Sequence, residues 1–130
     1  MHLHISAADG VPIYQQIVLQ IKTLVAAGRL AAGEELPPIR VLAEQLVVNP
    51  NTVARAYREL AAAGVLTNRR TAGTYVADGA EPRAQEQFFD ALAESVDALL
   101  AEARRANVGV QELIDLIRQR DERTRKRKEK

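Results

Sequence analysis

The segment from Leu36 to Gly64 constrains the fold most strongly, because it contains two helix starts separated by a very short turn. Pro38 can open the first helix. Asn49-Pro50 is typical of the start of the second, with Asn as the N-cap and Pro at the first helical position. Gly64 can adopt the left-handed conformation that commonly follows a helix. Two helices joined by such a turn predict a helix-turn-helix.

The segments on either side of this motif complete a winged helix-turn-helix. Upstream, apolar residues spaced three and four apart predict a helix that starts near Pro12 and ends near Gly28. Downstream, two β-prone runs, 65–67 and 74–76, are separated by a polar turn that contains two arginines. This pattern is typical of a β-hairpin, which would form the wing. We therefore predict a mainly α-helical fold with a small β-hairpin, in which residues 1–78 form the winged domain.

The C-terminal part carries two apolar stripes at helical spacing. Residues 79–82 are predicted to be a linker, and residues 83–120 a two-helix segment that breaks at Asn107-Val108-Gly109. The first stripe runs from Phe88 to Ala103 and the second from Val110 to Ile117. Their larger side chains, which form the predicted interface, are Phe88, Phe89, Leu92, Val96, Leu99, Leu100, Leu113, Ile114 and Ile117. Two helices alone cannot bury these side chains, and large apolar patches usually mark interfaces. We predict a two-fold homodimer; packing of both helices onto the winged domain of the same chain is the alternative.

The second helix of the helix-turn-helix has one apolar face and one polar face. At 100° per residue, the inward face is predicted to consist of Val53, Ala56, Tyr57 and Leu60. Asn51, Arg55 and Arg58 lie opposite and would point outward. Asn can pair with adenine and Arg with guanine in the major groove, and Thr52 at the rim could reach a phosphate or a thymine methyl. The alternative is an ordinary solvated helix surface.

Six motifs occur in order within about residues 4–78. They are Val11-Pro12-Ile13-Tyr14-Gln15-Gln16-Ile17, Gly28-Arg29-Leu30 with Gly33, Leu36-Pro37-Pro38-Ile39-Arg40-Val41-Leu42-Ala43, Asn51-Thr52-Val53, Tyr57-Arg58-Glu59-Leu60 with Gly64, and Gly73-Thr74-Tyr75-Val76. Together they resemble the DNA-binding domain of the GntR family of bacterial transcription regulators. The run 49–57 and the short helical C-terminal segment resemble the YtrA-type branch of that family.

The resemblance implies a phosphate contact by Arg40, further contacts at the start of the recognition helix, and a wing tip that touches DNA. With the outward helix face and the hairpin arginines, the predicted DNA-binding residues are Arg40, Asn49, Asn51, Thr52, Arg55, Arg58, Arg69, Arg70, Thr71 and Gly73. Thr71 stands where most members have glycine. Pro50 and Ala54 stand where many have arginine, so those two contacts do not transfer. The implied function is that of a repressor that binds a palindromic operator as a homodimer.

Composition excludes several other classes of protein. The chain has no cysteine, which excludes disulfides and thiolate metal sites. Its only histidines, His2 and His4, lie in a terminal arm and are not expected to bind a metal. Because no nucleophile is paired with an activating base, an enzyme is not expected, nor is a cofactor. A winged helix used for protein docking or for non-specific DNA compaction remains an alternative.

The charge distribution and the absence of an apolar leader set the remaining expectations. Net charge is +1, so the formal charge alone does not indicate nucleic acid. Residues 121–130 are rich in Lys and Arg and are predicted to be a solvated, disordered tail; a phosphate-binding arm is the alternative. No long apolar run indicates a membrane segment, and we expect a cytoplasmic protein. The expected partners are double-stranded DNA and a second copy of the chain. Any small-molecule effector would use the dimer groove or the junction between the two parts.

Overall fold

The computed structural model describes residues 1–69 and 73–128. Its elements are a 3-10 turn (Ala7–Asp9), α1 (Ile13–Ala26), α2 (Ile39–Leu46), α3 (Pro50–Ala62), β1 (Leu66–Arg69), β2 (Gly73–Val76), α4 (Ala80–Arg105) and α5 (Val110–Lys128). The chain divides into two compact units, Met1–Phe89 and a second that begins at Asp90. The predicted mainly α-helical fold with a small hairpin is confirmed.

The first unit is built on three helices whose apolar faces meet in one core. α1 and α2 both pack against α3. The core side chains include Ile17, Ile21, Val25, Leu42, Val53, Ala56, Leu60, Val65 and Val76. Apart from Tyr57, the buried core side chains are aliphatic, as expected for a chain with no Trp and only two Phe residues. The inward face predicted for α3 is confirmed, because Val53, Ala56, Tyr57 and Leu60 are all buried.

The helix starts and ends agree with their chemistry. Asn49 caps α3: its Oδ1 accepts a hydrogen bond of 2.8 Å from the backbone N–H of Asn51. Gly64 follows α3 with φ +79° and allows the tight chain reversal that leads into β1. Pro12 and Pro38 precede α1 and α2 as N-caps with extended backbone, one position before the helices begin. Their fixed φ still prepares the chain for a helix.

The wing is larger than the predicted hairpin. β1 and β2 pair antiparallel, with Leu66 opposite Val76 and Arg69 opposite Gly73. Residues 33–36 also pair along the other edge of β2. The N–H of Leu36 donates to the carbonyl oxygen of Thr74 at 2.8 Å, and the N–H of Val76 donates to Glu34 at 2.9 Å. No strand was predicted here, since a four-residue segment is too short to produce a clear alternating pattern.

The linker predicted at 79–82 is wrong, because α4 already begins at Ala80. Pro82 lies in the first turn of α4, where a missing N–H removes no intrahelical hydrogen bond. Ala80 and Ala84 are both 0% exposed and belong to the core of the first unit. The winged domain therefore extends beyond the predicted boundary at residue 78 and includes the first turns of α4.

The second unit contains the rest of α4 and all of α5. α4 ends where predicted, with Asn107 in the left-handed region (φ 59°) and the N–H of Val108 donating to Ala103 at 2.8 Å. The expectation of a disordered tail from residue 121 is wrong as far as Lys128, because α5 continues to that residue. Lys, Arg and Glu are good helix formers, and the Arg125–Asp121 pair adds an i,i+4 contact at 3.3 Å.

Candidate nucleic-acid interface

The outward face of α3 is polar, cationic and open to solvent. The side chains of Asn51, Arg55 and Arg58 are all exposed, whereas Thr52 is half-buried at the rim. Among residues 1–69 and 73–128, none of these arginines has a carboxylate within ion-pair distance. Uncompensated guanidinium groups on a protruding helix are available to an anionic or hydrogen-bonding partner.

Two side chains at the start of α3 have different hydrogen-bonding capacity. The Oδ1 atom of Asn49 is occupied by the N–H of Asn51, so the side chain of Asn49 offers mainly its amide N–H groups. The side chain of Asn51 has no such local bond among the residues that the structure describes. Asn51 can therefore use both its donor and its acceptor, as bidentate contact with adenine requires.

Arg55 contacts an aromatic ring from another helix. Its guanidinium carbon lies 3.8 Å from the centroid of the Tyr14 ring, near the start of α1. This distance is within the range of a cation–π interaction. The sequence did not predict this contact, because the two residues are far apart in the chain and neither belongs to a pattern that pairs them.

The turn between α2 and α3 contains an unexpected backbone conformation. Val47 has φ 56° and ψ 52°, in the left-handed region that β-branched residues rarely adopt. Its side chain is 89% exposed. A groove of about 490 Å³ at this turn is lined by Arg40, Ala43, Glu44, Val47, Val48, Asn49 and Pro50. Arg40 and Asn49, two of the predicted DNA-binding residues, thus line one groove.

A buried hydroxyl holds the helix-turn-helix together. The phenol of Tyr57 in α3 donates a hydrogen bond of 2.7 Å to the carbonyl oxygen of Pro37, just before α2. Burial raises the pKa of the Tyr57 phenol well above its ordinary value, so it remains a neutral donor. This bond fixes the start of α2, where Arg40 lies, relative to α3.

The far end of α3 is held by side chains from α4. Nη1 of Arg83 donates to the carbonyl oxygen of Gly64 at 3.2 Å, and Nε2 of Gln87 donates to Ala63 at 3.1 Å. Carbonyls at a helix C-terminus have no intrahelical partner and favour such donors. The first turns of α4 therefore help to position the outward face of α3.

The described part of the wing offers one arginine. Arg69 is exposed, and its guanidinium carbon lies 4.6 Å from the centroid of the Tyr75 ring. Gly73 has φ +97°, and a Cβ there would lie 3.3 Å from a carboxylate oxygen of Glu35. Arg70 and Thr71, also predicted to touch DNA, lie outside the described residues.

The residues predicted to form a dimer interface differ in exposure. Phe88, Phe89, Leu92, Val96, Leu99 and Ile117 are exposed in the single chain, Phe89 to 68%. Leu100 and Ile114 are half-buried. Leu113 is only 8% exposed, so it is already buried within the single chain. Val110, which belongs to the second stripe but not to the predicted interface, and Leu116 are exposed by about half.

The described residues offer little for other kinds of site, such as a metal centre or a membrane span. In the described ranges, with their gap at the wing, no group of three or more His, Cys, Asp or Glu side chains could hold a metal ion. His2 and His4 have ring centroids 6.3 Å apart. No helix in those ranges is both long and apolar enough to cross a bilayer.

Comparison with known proteins decides the family. The model of the bacterial regulatory proteins of the gntR family matches residues 13–76. The transcriptional repressor YtrA of Bacillus subtilis (strain 168) is 33% identical over 117 residues, which cover 90% of this chain and 90% of that protein. This chain belongs to the GntR family. Its similarity to YtrA extends beyond the winged domain into the C-terminal helices, as the sequence motifs implied.

Solved structures of similar proteins agree with this GntR assignment. A transcriptional regulator from Oenococcus oeni has a TM-score of 0.75 and 29% identity, covering 91% of this chain and 98% of that one. YtrA from Sulfolobus acidocaldarius, a GntR-family transcription factor, has a TM-score of 0.59 and 33% identity, covering 76% and 97%. The chain is therefore a GntR-family transcriptional regulator with a winged helix-turn-helix DNA-binding domain.

Proposed function

We propose that this regulator binds a palindromic operator as a homodimer and represses transcription in the cytoplasm. The exposed face of α3 carries the proposal, because Asn51, Arg55 and Arg58 are uncovered there and lie on the helix that a winged domain places in the major groove. Base edges would be read by Asn51 and Arg55. Contacts to the phosphate backbone would come from Arg40, Asn49, Thr52, Arg58 and Arg69, with Arg70, Thr71 and Gly73 at the wing tip.

The homodimer is supported by the apolar side chains of α4 and α5. Phe88, Phe89, Leu92, Val96 and Leu99 are each at least 40% exposed in the single chain. Exposed apolar surface costs roughly 25 cal/mol per Å² relative to burial, so a second copy that covered these residues would gain stability. A two-fold pair would also present two recognition helices to two half-sites.

Repression is supported by the similarity to YtrA of Bacillus subtilis, which is named a transcriptional repressor. The physical basis would be occlusion, since a dimer across two half-sites covers DNA that RNA polymerase would otherwise contact. In this mechanism α3 supplies specificity and the arginines around it supply affinity that depends on salt.

The experiment is selection of bound sequences from a random DNA pool by the full chain at fixed salt. We expect an inverted repeat whose half-site centres lie about one helical turn apart, 10–10.5 bp. Affinity for the selected site should exceed affinity for random DNA by roughly 10³-fold or more. Enrichment of no sequence would contradict the proposal and favour non-specific binding or protein docking.

A further inference from the structure

The contact between Tyr14 and Arg55 joins the proposed base-reading surface to a helix outside the helix-turn-helix. Tyr14 is half-buried and packs against the core of the first unit, so its ring is fixed. Arg55 is exposed on α3, and its guanidinium carbon lies 3.8 Å from the centre of that ring. Arg58, on the same face of α3, has no such aromatic neighbour within the described ranges.

Stacking on an aromatic ring restricts the conformation of an arginine side chain but does not occupy its N–H donors. All five N–H donors of a guanidinium lie in its plane, whereas the cation–π contact uses its face. Among the described residues no acceptor bonds to the Arg55 side chain. The donors at its edge therefore remain free for the O6 and N7 atoms of a guanine, and part of the rotamer entropy is lost before DNA binds.

We propose that Tyr14 is a positioning residue for Arg55, and that the ring holds the guanidinium ready for a base edge. The inference depends on the proposed function, in which Arg55 reads a base. It adds that α1 contributes to sequence preference through the contact of Tyr14 with Arg55.

The test measures binding to operators in which each base pair of the selected site is varied. Tyr14→Leu should relax the preference at the same base pair as Arg55→Ala, by about two- to fivefold. Tyr14→Phe keeps the ring face and should bind like wild type. Once Arg55 is alanine, Tyr14→Leu should have no further effect on preference. Tyr75→Leu, which removes the ring beneath Arg69, is the matched control and should leave that base pair unchanged.

Two further measurements separate positioning from a merely structural role. In the free protein, ring-current shifts of the Arg55 side-chain resonances should be present in wild type and in Tyr14→Phe and lost in Tyr14→Leu. Arg55→Lys keeps the charge at an exposed position and cannot unfold the core, yet it should lose the preference because ammonium lacks the planar fork.

Each outcome decides between the alternatives. If Tyr14→Leu lowers the melting temperature but leaves base preference intact, Tyr14 is only a core residue and the inference is wrong. If wild type selects an inverted repeat but Arg55→Ala changes no base preference, the inference fails while the proposed function stands. If wild type itself selects no sequence, both fail.

Discussion

Val47 occupies a conformation that costs energy in the free protein. Left-handed backbone costs an L-residue roughly 1–2 kcal/mol, and an exposed side chain at this turn recovers little of it by packing. Val47→Gly should therefore raise the free energy of unfolding by about 0.5–1 kcal/mol, after the greater unfolded-state entropy of Gly is subtracted. Urea titration measures this. Val48→Gly is the control: at a half-buried position with ordinary backbone, it should lower the free energy of unfolding. If Val47→Gly leaves that free energy unchanged or lowers it, the turn is not strained.

Tyr57 should make the free energy of unfolding depend on pH in the alkaline range. Its folded-state pKa is raised above the ordinary value of about 10, so the folded protein keeps a proton that the unfolded chain loses. The contribution is complete below pH 10 and declines as pH rises above it. Tyr57→Phe removes the bond to Pro37 and should cost about 1 kcal/mol at pH 7. Chemical denaturation at pH 7 and pH 10.5 should show a smaller pH-dependent loss in Tyr57→Phe than in wild type; equal losses would exclude Tyr57 as the cause.

The contacts and backbone conformations of single residues were the features least predictable from the sequence. The inward and outward faces of α3 followed from helical periodicity, which needs no knowledge of the partners. The ring beneath Arg55 and the left-handed Val47 did not, because both depend on which elements meet in space. A valine also gives no sign of positive φ, since glycine and asparagine are the residues that indicate it.

Among the elements, α3 has both of its ends held by specific contacts. Gly64 carries positive φ, and a Cβ there would lie 3.1 Å from Cδ and Nη1 of Arg83. Gly64→Ala should therefore lower the free energy of unfolding by more than 1 kcal/mol, from left-handed strain and from displacement of Arg83. Gly109→Ala is the control, because its nearest neighbour would be an oxygen of Glu112 at 3.8 Å. Thermal melts would contradict the prediction if both variants lost the same stability.

Element boundaries were predictable where a capping residue marks them. Asn49, Gly64 and Asn107 each stand at an end that the sequence indicated. The start of α4 was not predictable from the sequence. Gly79 and Pro82 are typical of a linker, but a helix that has a proline in its first turn shows the same residues. The pairing of 33–36 with β2 was missed for a similar reason, since so short a segment has no period.

At the scale of the whole molecule, the exposed stripe of α4 predicts assembly. The full chain should be a dimer at micromolar concentration. Val96→Asp or Leu99→Asp should make it a monomer, because a buried unpaired carboxylate costs several kcal/mol. Ala101→Asp places the same charge on the opposite, exposed face of α4 and should remain dimeric. Light scattering measures this directly, and a monomeric wild type would remove the basis for the dimer.

Ala80 and Ala84 of α4 belong to the core of the winged domain, and they therefore determine where the smallest stable fragment ends. Chain 1–79 lacks Ala80, Ala84 and the donors that hold α3, whereas chain 1–89 retains all of them. Fragment 1–89 should fold as a monomer, and fragment 1–79 should melt at a lower temperature because the core side chains that Ala80 and Ala84 cover would be exposed to water. Circular dichroism melts compare the two, and equal midpoints would show that α4 adds nothing.

Gly79, just before α4, is where a gene fusion would most naturally join the winged domain to the helical segment. Because Ala80 and Ala84 belong to the core of the winged domain, the two parts cannot be separated there without disturbing that core. A hybrid regulator joined at Gly79 would carry another protein's residues at the two buried positions that Ala80 and Ala84 occupy here. Larger residues there would overpack the core, and polar ones would be buried without partners. Recombination that preserves a working DNA reader should therefore exchange material only beyond Phe89, so that the sequence of early α4 is inherited with the domain that precedes it.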